Sequence, residues 1–289
     1  MSRFKLTGWL FVVPAIAIIS LVMLLPMAHT VVLSFGEDAM MPGRAEWWTG
    51  FGNYETLFTD ERFIESLINT LIFTAVTVPI ELVLGIGLAM ILHRQFAGRG
   101  IVRVAVLFPW ALPTALNALI WRWMYSTDFG VFNGILTDVG LITEPINWLG
   151  STPLAMASMM VVSIWKTSSF MALLLLAGLQ TIPDEIYEAG AIDGTTRWSA
   201  FRRLTLPLLA PSILVAVLLR SMDALRAFEL PFNLTDGGPA GTTETISLYA
   251  YRVLFQFIDF NFGASVVLVQ FVIILVISIF YIRSIRTQT

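Results

Sequence analysis

The sequence predicts an all-α membrane protein with six transmembrane helices, and three observations carry that expectation. Of the 289 residues 57% are hydrophobic and 13% charged, about half the charge of an ordinary soluble domain. The apolar residues are gathered into blocks of roughly 20 to 28, long enough to cross a hydrocarbon core of ~30 Å. Lys and Arg fall mainly in alternate connectors, the asymmetry that orients a polytopic chain.

The spans are read at about 9–35, 64–92, 102–125, 152–180, 205–228 and 262–283. Short polar connectors without low-complexity tracts join them, so one transmembrane domain over 1–289 is expected. Met1 to Lys5 is basic and precedes the first apolar stretch, which is too long for a signal-peptide core and is read as a retained span. Pro14, Pro26, Pro79, Pro109 and Pro113 are expected to kink or end helices, for packing ahead of gating. Gly85 and Gly87, with Ala89 a turn on, suit close helix approach. Without cysteine, a disulfide framework and a thiolate metal site are both excluded.

Placing the N-terminus in the cytoplasm puts Arg3, Lys5, Arg94, Arg99, Arg103, Arg197, Arg202, Arg203, Arg283 and Arg286 on inner segments. The outer segments hold only Arg44, Arg62 and Arg252. Ten against three predicts both termini inside. Outer connectors carry acids instead, among them Glu37, Asp38, Glu46, Asp60, Glu61 and Asp128, with Trp47, Trp48 and Trp148 suited to the interface.

Charges at membrane depth cost about 2.5 to 3.5 kcal/mol each and normally face a cavity or a partner. Lys166 lies near the middle of the fourth span beside Ser163, Thr167 and Phe170, while Arg220, Asp223 and Arg226 occupy the outer half of the fifth, next to Ala224. The i, i+3 spacings allow a self-neutralising ion triad. The functional reading makes Ser163, Lys166, Thr167, Phe170, Arg220, Asp223 and Ala224 the wall of a water-filled path, with Trp165 and Trp121 as further aromatic faces. Glu81 in the second span is able to pair with any of the buried cations.

The inner loop between the fourth and fifth spans reads Glu188-Ala189-Gly190-Ala191-Ile192-Asp193-Gly194, then nine residues, then Leu204-Thr205-Leu206-Pro207. Pro183-Asp184-Glu185 makes an acidic helix start and Gly194 a helix stop, with a second short helix expected at Trp198 to Leu204 before Pro207 opens the fifth span. This loop resembles the E-A-A-x-x-x-G and I-x-L-P signature of binding-protein-dependent ABC importer permeases, with Gly190 in place of Ala and Leu204 in place of Ile. Weaker matches to carbohydrate permeases of the maltose and glycerol-phosphate type cover nearly the whole chain: Ser34-Phe35, Gly52-Asn53-Tyr54, Asn69-Thr70, Ala177-Gly178-Leu179-Gln180, and Leu234-Thr235-Asp236-Gly237-Gly238-Pro239 with Thr243-Glu244-Thr245. The last resembles the signature of the first of two permeases, here in the compact six-span form without the long periplasmic insertion of the enteric maltose permease.

The resemblance implies a permease subunit importing a sugar by alternating access across a bacterial or archaeal cytoplasmic membrane. It implies a second homologous permease, a dimer of separate ATPase subunits and an extracytoplasmic substrate-binding protein as partners, with no nucleic acid. Residues 184–203 would be the coupling loop, and Glu188, Ala189, Gly190, Asp193, Gly194, Leu206 and Pro207 its ATPase-coupling residues. No catalytic residue, metal site or cofactor is expected on this chain, with ATP and Mg on the partner ATPase. No G-x-x-x-x-G-K-[ST] occurs, so this chain lacks that phosphate cradle.

Two other classes compete. An ion-coupled secondary transporter would place carboxylates and broken helices at the midplane, but internal repeats are missing from the sequence. An intramembrane enzyme could use Glu81 and Asp223 as acid and base, but no nucleophile or H-E-x-x-H accompanies them. Within the importer reading the substrate charge is open. Arg122, Lys166, Arg220 and Arg226 outnumber Glu81 and Asp223 at depth, which suits a phosphorylated, sulfonated or acidic sugar. Arg122 and Arg226 are close enough to the outer interface to snorkel, and Trp165-Lys166 resembles neutral-sugar members of the family, so a neutral saccharide is expected first.

Overall fold

Twelve helical stretches make up most of the described chain, which in this computed structural model comprises residues 12–36 and 48–286. They are α1 (Val12–Ser34), α2 (Gly52–Thr59), α3 (Glu61–His93), α4 (Arg99–Ala111), α5 (Thr114–Met124), α6 (Val131–Asp138), α7 (Thr152–Leu179), α8 (Asp184–Ile192), α9 (Arg197–Leu225), α10 (Glu229–Leu234), α11 (Ile246–Tyr251) and α12 (Phe260–Arg286). Arg3, Lys5, Pro14's preceding turn, Glu37, Asp38, Arg44, Glu46 and Trp47 lie wholly or partly outside the described residues.

Helices α1, α3, α7, α9 and α12 are each long and apolar enough to cross a membrane. A sixth crossing requires α4 and α5 together, and these are bent by 93°. The span expected at 102–125 is thus a broken pair, with the break at Pro113, one of the prolines expected to kink or end a helix. Leu112 and Pro113 are both extended, with ψ of 132° and 134°, because the proline ring disfavours helical geometry in the residue before it. Pro79 and Pro109, by contrast, sit inside α3 and α4.

Two prolines are accommodated by one device. Ser20–Leu24 and Phe201–Thr205 are π-helical segments, and each is followed one residue later by proline, Pro26 and Pro207. Leu25 donates its N–H to Ser20 O and Leu206 to Phe201 O, the wider i→i−5 bond. A wider turn gives room around a residue that lacks an N–H and crowds the carbonyl before it. The expected separate helix at 198–204 is thereby corrected: α9 runs without a break from Arg197 through Pro207 to Leu225.

The chain divides into two compact units. The first comprises Met1–Ile64 and Tyr249–Ile273. Here Asn53 Nδ2 donates to Ser34 O and Gly36 O, and Tyr54 OH donates to Ser34 Oγ at 2.7 Å. Phe35 packs on Trp48, Phe51 and Tyr54. Asp60 starts α3 by accepting from the N–H groups of Arg62 and Phe63, and its other oxygen accepts from Tyr249 OH at 2.6 Å.

The second unit comprises Glu65–Leu248 and Ile274–Thr289, and α7 is its core. Helix α7 packs against α4, α9 and α10, and α10 also against α5. Glycine permits two of the close approaches: a Cβ at Gly85 would collide with Met171, and one at Gly178 with Ser212 and Leu209. Gly87 faces open space, so the packing role expected for it is corrected. Asn69 Nδ2 donates to Gly241 O and Glu244 O, and Thr70 Oγ1 accepts from Ile246 N–H. These bonds pin the Gly-Gly-Pro turn and its Thr-Glu-Thr sequel to α3.

Candidate substrate cavity and coupling loop

A cavity of about 300 Å³ opens between α5, α7, α9 and α10 in the second unit, at the lower end of the range of ligand sites. Ser163, Lys166, Thr167, Arg220 and Asp223 line it together, five of the seven residues expected on a substrate path. The other two do not. Ala224 is fully buried in the core, and Phe170 stacks on Trp110 with centroids 5.6 Å apart. Trp121 also belongs to the core, where it packs on Tyr125, Phe132 and Trp165.

The cavity floor is a buried polar network. Glu81, 0% exposed, accepts from Arg220 Nε at 2.5 Å and Nη2 at 3.0 Å. Ser163 Oγ donates to Glu81 and accepts from Arg220 Nη2, while Arg220 Nη1 reaches Asp223 at 3.3 Å. The bidentate grip of guanidinium on carboxylate is the geometry that makes a buried pair tolerable, since each ion alone would carry its full desolvation cost. The ion triad allowed by the i, i+3 spacings is half formed. Arg220 does meet Asp223, but Arg226 Nε turns back to Met222 O.

Lys166 Nζ donates to Thr114 Oγ1 at 3.1 Å, tying α7 to the first residue of α5 just past the Pro113 break. The remaining wall includes Asn117, Arg226, Phe228 and Glu229. Sequence reasoning missed Thr114, Asn117 and Glu229. Asn117 carried the one usable signal, a lone amide inside the apolar run Ala115 to Trp121.

The loop at 184–203 is built differently. Asp184 and Glu185 occupy the first turn of α8, complementing its dipole. Its end is closed by Asp193 N–H to Ala189 O, Gly194 N–H to Ala191 O, and Thr195 N–H and Oγ1 to Gly190 O. Gly194 has φ of +75°, the left-handed geometry that favours glycine at a helix stop. Thr196 Oγ1 then caps α9 by accepting from Ser199 N–H, and Tyr187 OH meets Thr205 Oγ1 at 3.2 Å. Glu188, Ala189, Asp193 and Gly194 are exposed, Gly190 is buried, Leu206 is half-buried and Pro207 exposed. Two apolar side chains stand out in the open here, Ile192 at 87% and Trp198 at 70% exposure. Sequence reasoning did not single them out.

Among the described residues no group of three or more His, Asp or Glu is placed to hold a metal ion. Comparison with known proteins gives a consistent answer across nearly the whole length. The chain is 38% identical to the sulfoquinovosyl glycerol transport system permease protein of Agrobacterium fabrum, over 98% of this chain and 92% of that one. It is likewise 38% identical to the trehalose/maltose transport system permease protein of Thermococcus litoralis, over 96% and 92%. Among solved structures, a crystal structure of a bacterial ABC transporter that imports the acidic polysaccharide alginate aligns with a TM-score of 0.84 and 25% identity, covering 99% of this chain and 96% of that one. The family model for the binding-protein-dependent transport system inner membrane component matches residues 81–286, well over half of the chain. The exposed loop and all of the cavity lining except Phe73 lie within that match, and the chain belongs to this family of multi-pass inner-membrane permeases, a transport subunit rather than an enzyme.

Proposed function

We propose that this chain is the permease subunit of an ATP-driven importer that passes a saccharide through the cavity of the second unit by alternating access. The observation that carries the reading is the continuity of α9. One helix presents Arg220 and Asp223 to the cavity and, at its other end, joins the exposed loop bearing Ile192 and Trp198. A rigid element that touches both places transmits a push at the loop to the cavity. The sugar class follows from the relatives, two of which are named for sugar substrates at 38% identity.

In this reading Glu188, Ala189, Gly190, Asp193, Gly194, Leu206 and Pro207 build the coupling knob. An ATPase dimer docks on it, covers Ile192 and Trp198, and supplies the ATP and Mg chemistry. A second permease completes the pore, and a binding protein outside delivers the sugar. The loop and both termini face the cytoplasm, following the excess of Lys and Arg on that side.

The test is the assembled transporter in proteoliposomes. Glu188→Lys and Gly194→Pro are expected to leave the chain inserted while abolishing ATP-driven sugar uptake. In the cysteine-free background, Thr242→Cys should react with an impermeant reagent added outside intact cells and Thr195→Cys should not. Normal uptake in both loop variants, or the reverse labelling, removes the coupling assignment.

A further inference from the structure

The cavity carries six formal charges that cancel. Lys166, Arg220 and Arg226 are the cations of its wall, and Asp223 and Glu229 the anions. Glu81 is the third anion, buried behind the wall and held by two nitrogens of Arg220. Every nitrogen of the Arg220 guanidinium is engaged, with Glu81, Ser163 and Asp223. A site built to hold a carboxylate, sulfonate or phosphate presents an unspent guanidinium fork or a surplus of cations. Here the Arg220 fork is spent and the cations do not outnumber the anions; the guanidinium of Arg226, whose Nε bonds Met222 O, is matched in the count by a carboxylate of the same wall. The surplus of two positive charges read from the sequence disappears because Arg122 does not line the cavity and Glu229, beyond the end of the fifth span, does.

What the wall offers is a mixture of donors and acceptors: ammonium and guanidinium groups from Lys166 and Arg226, carboxylates from Asp223 and Glu229, a hydroxyl from Thr114. That mixture matches a ligand rich in hydroxyls, each able to donate and accept. Asn117 adds an independent sign. It is 1% exposed, it lines the cavity, and its Nδ2 has no acceptor. A buried donor left unmade is unfavourable, and a small rotation of the amide toward a ligand oxygen relieves it.

A second, shallower recess continues from the first. It is lined by Trp110, Ala111, Leu112, Pro113, Thr114, Lys166 and Glu229, three of which also line the main cavity. Trp110 is 44% exposed and is held by its stack on Phe170 at 21° between ring planes. An indole fixed in this way is a flat platform with one free edge or face beside polar groups, the arrangement that suits the apolar face of a sugar ring.

Resting on the saccharide-permease reading above, we infer that the site selects an uncharged saccharide of at least two rings, with Asn117 a specificity-determining donor and Trp110 the platform for the second ring. The balance of charges disfavours an anionic sugar: Arg220 is spent on Glu81, Ser163 and Asp223, and the remaining cations, Lys166 and Arg226, are matched in number by the Asp223 and Glu229 carboxylates that a sugar carboxylate would also meet.

The experiment uses the permease–ATPase complex in lipid nanodiscs without the binding protein, and saturation-transfer NMR with two two-ring probes of nearly equal size, maltose and maltose oxidised to the carboxylate at C6 of its non-reducing ring. Wild type is expected to bind maltose at least about tenfold more tightly. Asp223→Asn with Glu229→Gln leaves a net charge of two positive and is expected to reverse the preference, and Asp223→Asn alone, at an exposed side chain, to move it part of the way. Asn117→Ala should weaken maltose about tenfold, and Trp110→Ala should remove the transfer signal from one ring only. Preference of the wild type for the oxidised sugar, or a double variant that leaves the ratio unchanged, overturns the charge inference while sugar uptake in proteoliposomes leaves the permease reading standing. Absence of binding by both probes, together with uptake of no saccharide, overturns both.

Discussion

The loop at 184–203 and the cavity wall stand at the two ends of α9, and they are assembled on opposite plans. The loop is contiguous in sequence, closed by hydrogen bonds between residues three to five apart, and leaves Ile192 and Trp198 exposed. The cavity draws Glu81, Thr114, Ser163 and Arg220 from four helices, joins partners up to 139 residues apart, and leaves its central charges buried. The difference teaches where each region keeps its free energy. The loop leaves apolar surface uncovered within this chain, whereas the cavity spends its polar groups on one another.

The largest effect should come from breaking the cavity network. Arg220→Met strands Glu81 at 0% exposure with only Ser163 as a donor, and removing one member of a buried pair costs about 3–5 kcal/mol. Glu81→Leu combined with Arg220→Met removes both charges and should recover much of that loss. Unfolding of the purified variants in detergent measures each step, and the pair is a double-mutant cycle in which strong coupling is expected. Equal stability of Arg220→Met and wild type would mean that the charges are not held as the structure has them.

The loop should behave in the opposite way. Ile192→Asp and Trp198→Asp touch little within the chain, so their stability should stay within about 0.5 kcal/mol of wild type. Their binding of the ATPase should fall by about 2 kcal/mol, roughly thirtyfold, as for an anchor residue truncated at an interface. Titration of the ATPase onto nanodisc-embedded variants reads the second quantity. A loss of stability without a loss of binding would erase the contrast between the two regions.

The same division decided what was legible in the sequence. Asp184 and Glu185 at the start of α8 and Gly194 at its end are local signals, and the helix between them lies where they place it. The π segments before Pro26 and Pro207 have no local signature beyond the proline itself, so α9 was expected to break where it bends its hydrogen bonding instead. Pro113 was legible as a kink, but the 93° angle was not, because the two arms are held by different partners, α4 by α7 and α5 by α10. In the cavity, polar residue types at membrane depth marked five wall residues, yet the partner of Arg220 could not be chosen from sequence because the choice is made by the packing of α3 against its neighbours. Weak motifs turned out to be halves of contacts. Ser34 meets Asn53 and Tyr54, and Asn69 and Thr70 meet the turn that leads into Thr243-Glu244-Thr245.

The smallest prediction concerns another such pair, the two positions at which the loop departs from the family signature. Gly190 stands where the pattern has Ala and Leu204 where it has Ile, and the two residues face each other. A Cβ at Gly190 would come within 2.8 Å of Leu204 Cδ1 and 3.2 Å of Thr195 Oγ1. Two effects of similar size therefore oppose each other in Gly190→Ala. Alanine is favoured over glycine inside a helix by roughly 0.5–1 kcal/mol, whereas crowding a packed site costs about 1–3 kcal/mol when the neighbour cannot yield. Leu204 is half-buried and its δ-methyl is the end of a flexible side chain, so the cost should lie at the low end and the single variant should be neutral to about 1 kcal/mol less stable. Leu204→Val removes the δ-carbon altogether. In that background Gly190→Ala should become stabilising by about 0.5–1 kcal/mol, reversing its sign. Thermal unfolding of the four proteins gives the coupling directly. Additive effects would show that the two positions are independent, while a reversal would show that the methyl group absent at Gly190 is made good by the longer reach of the Leu204 side chain opposite.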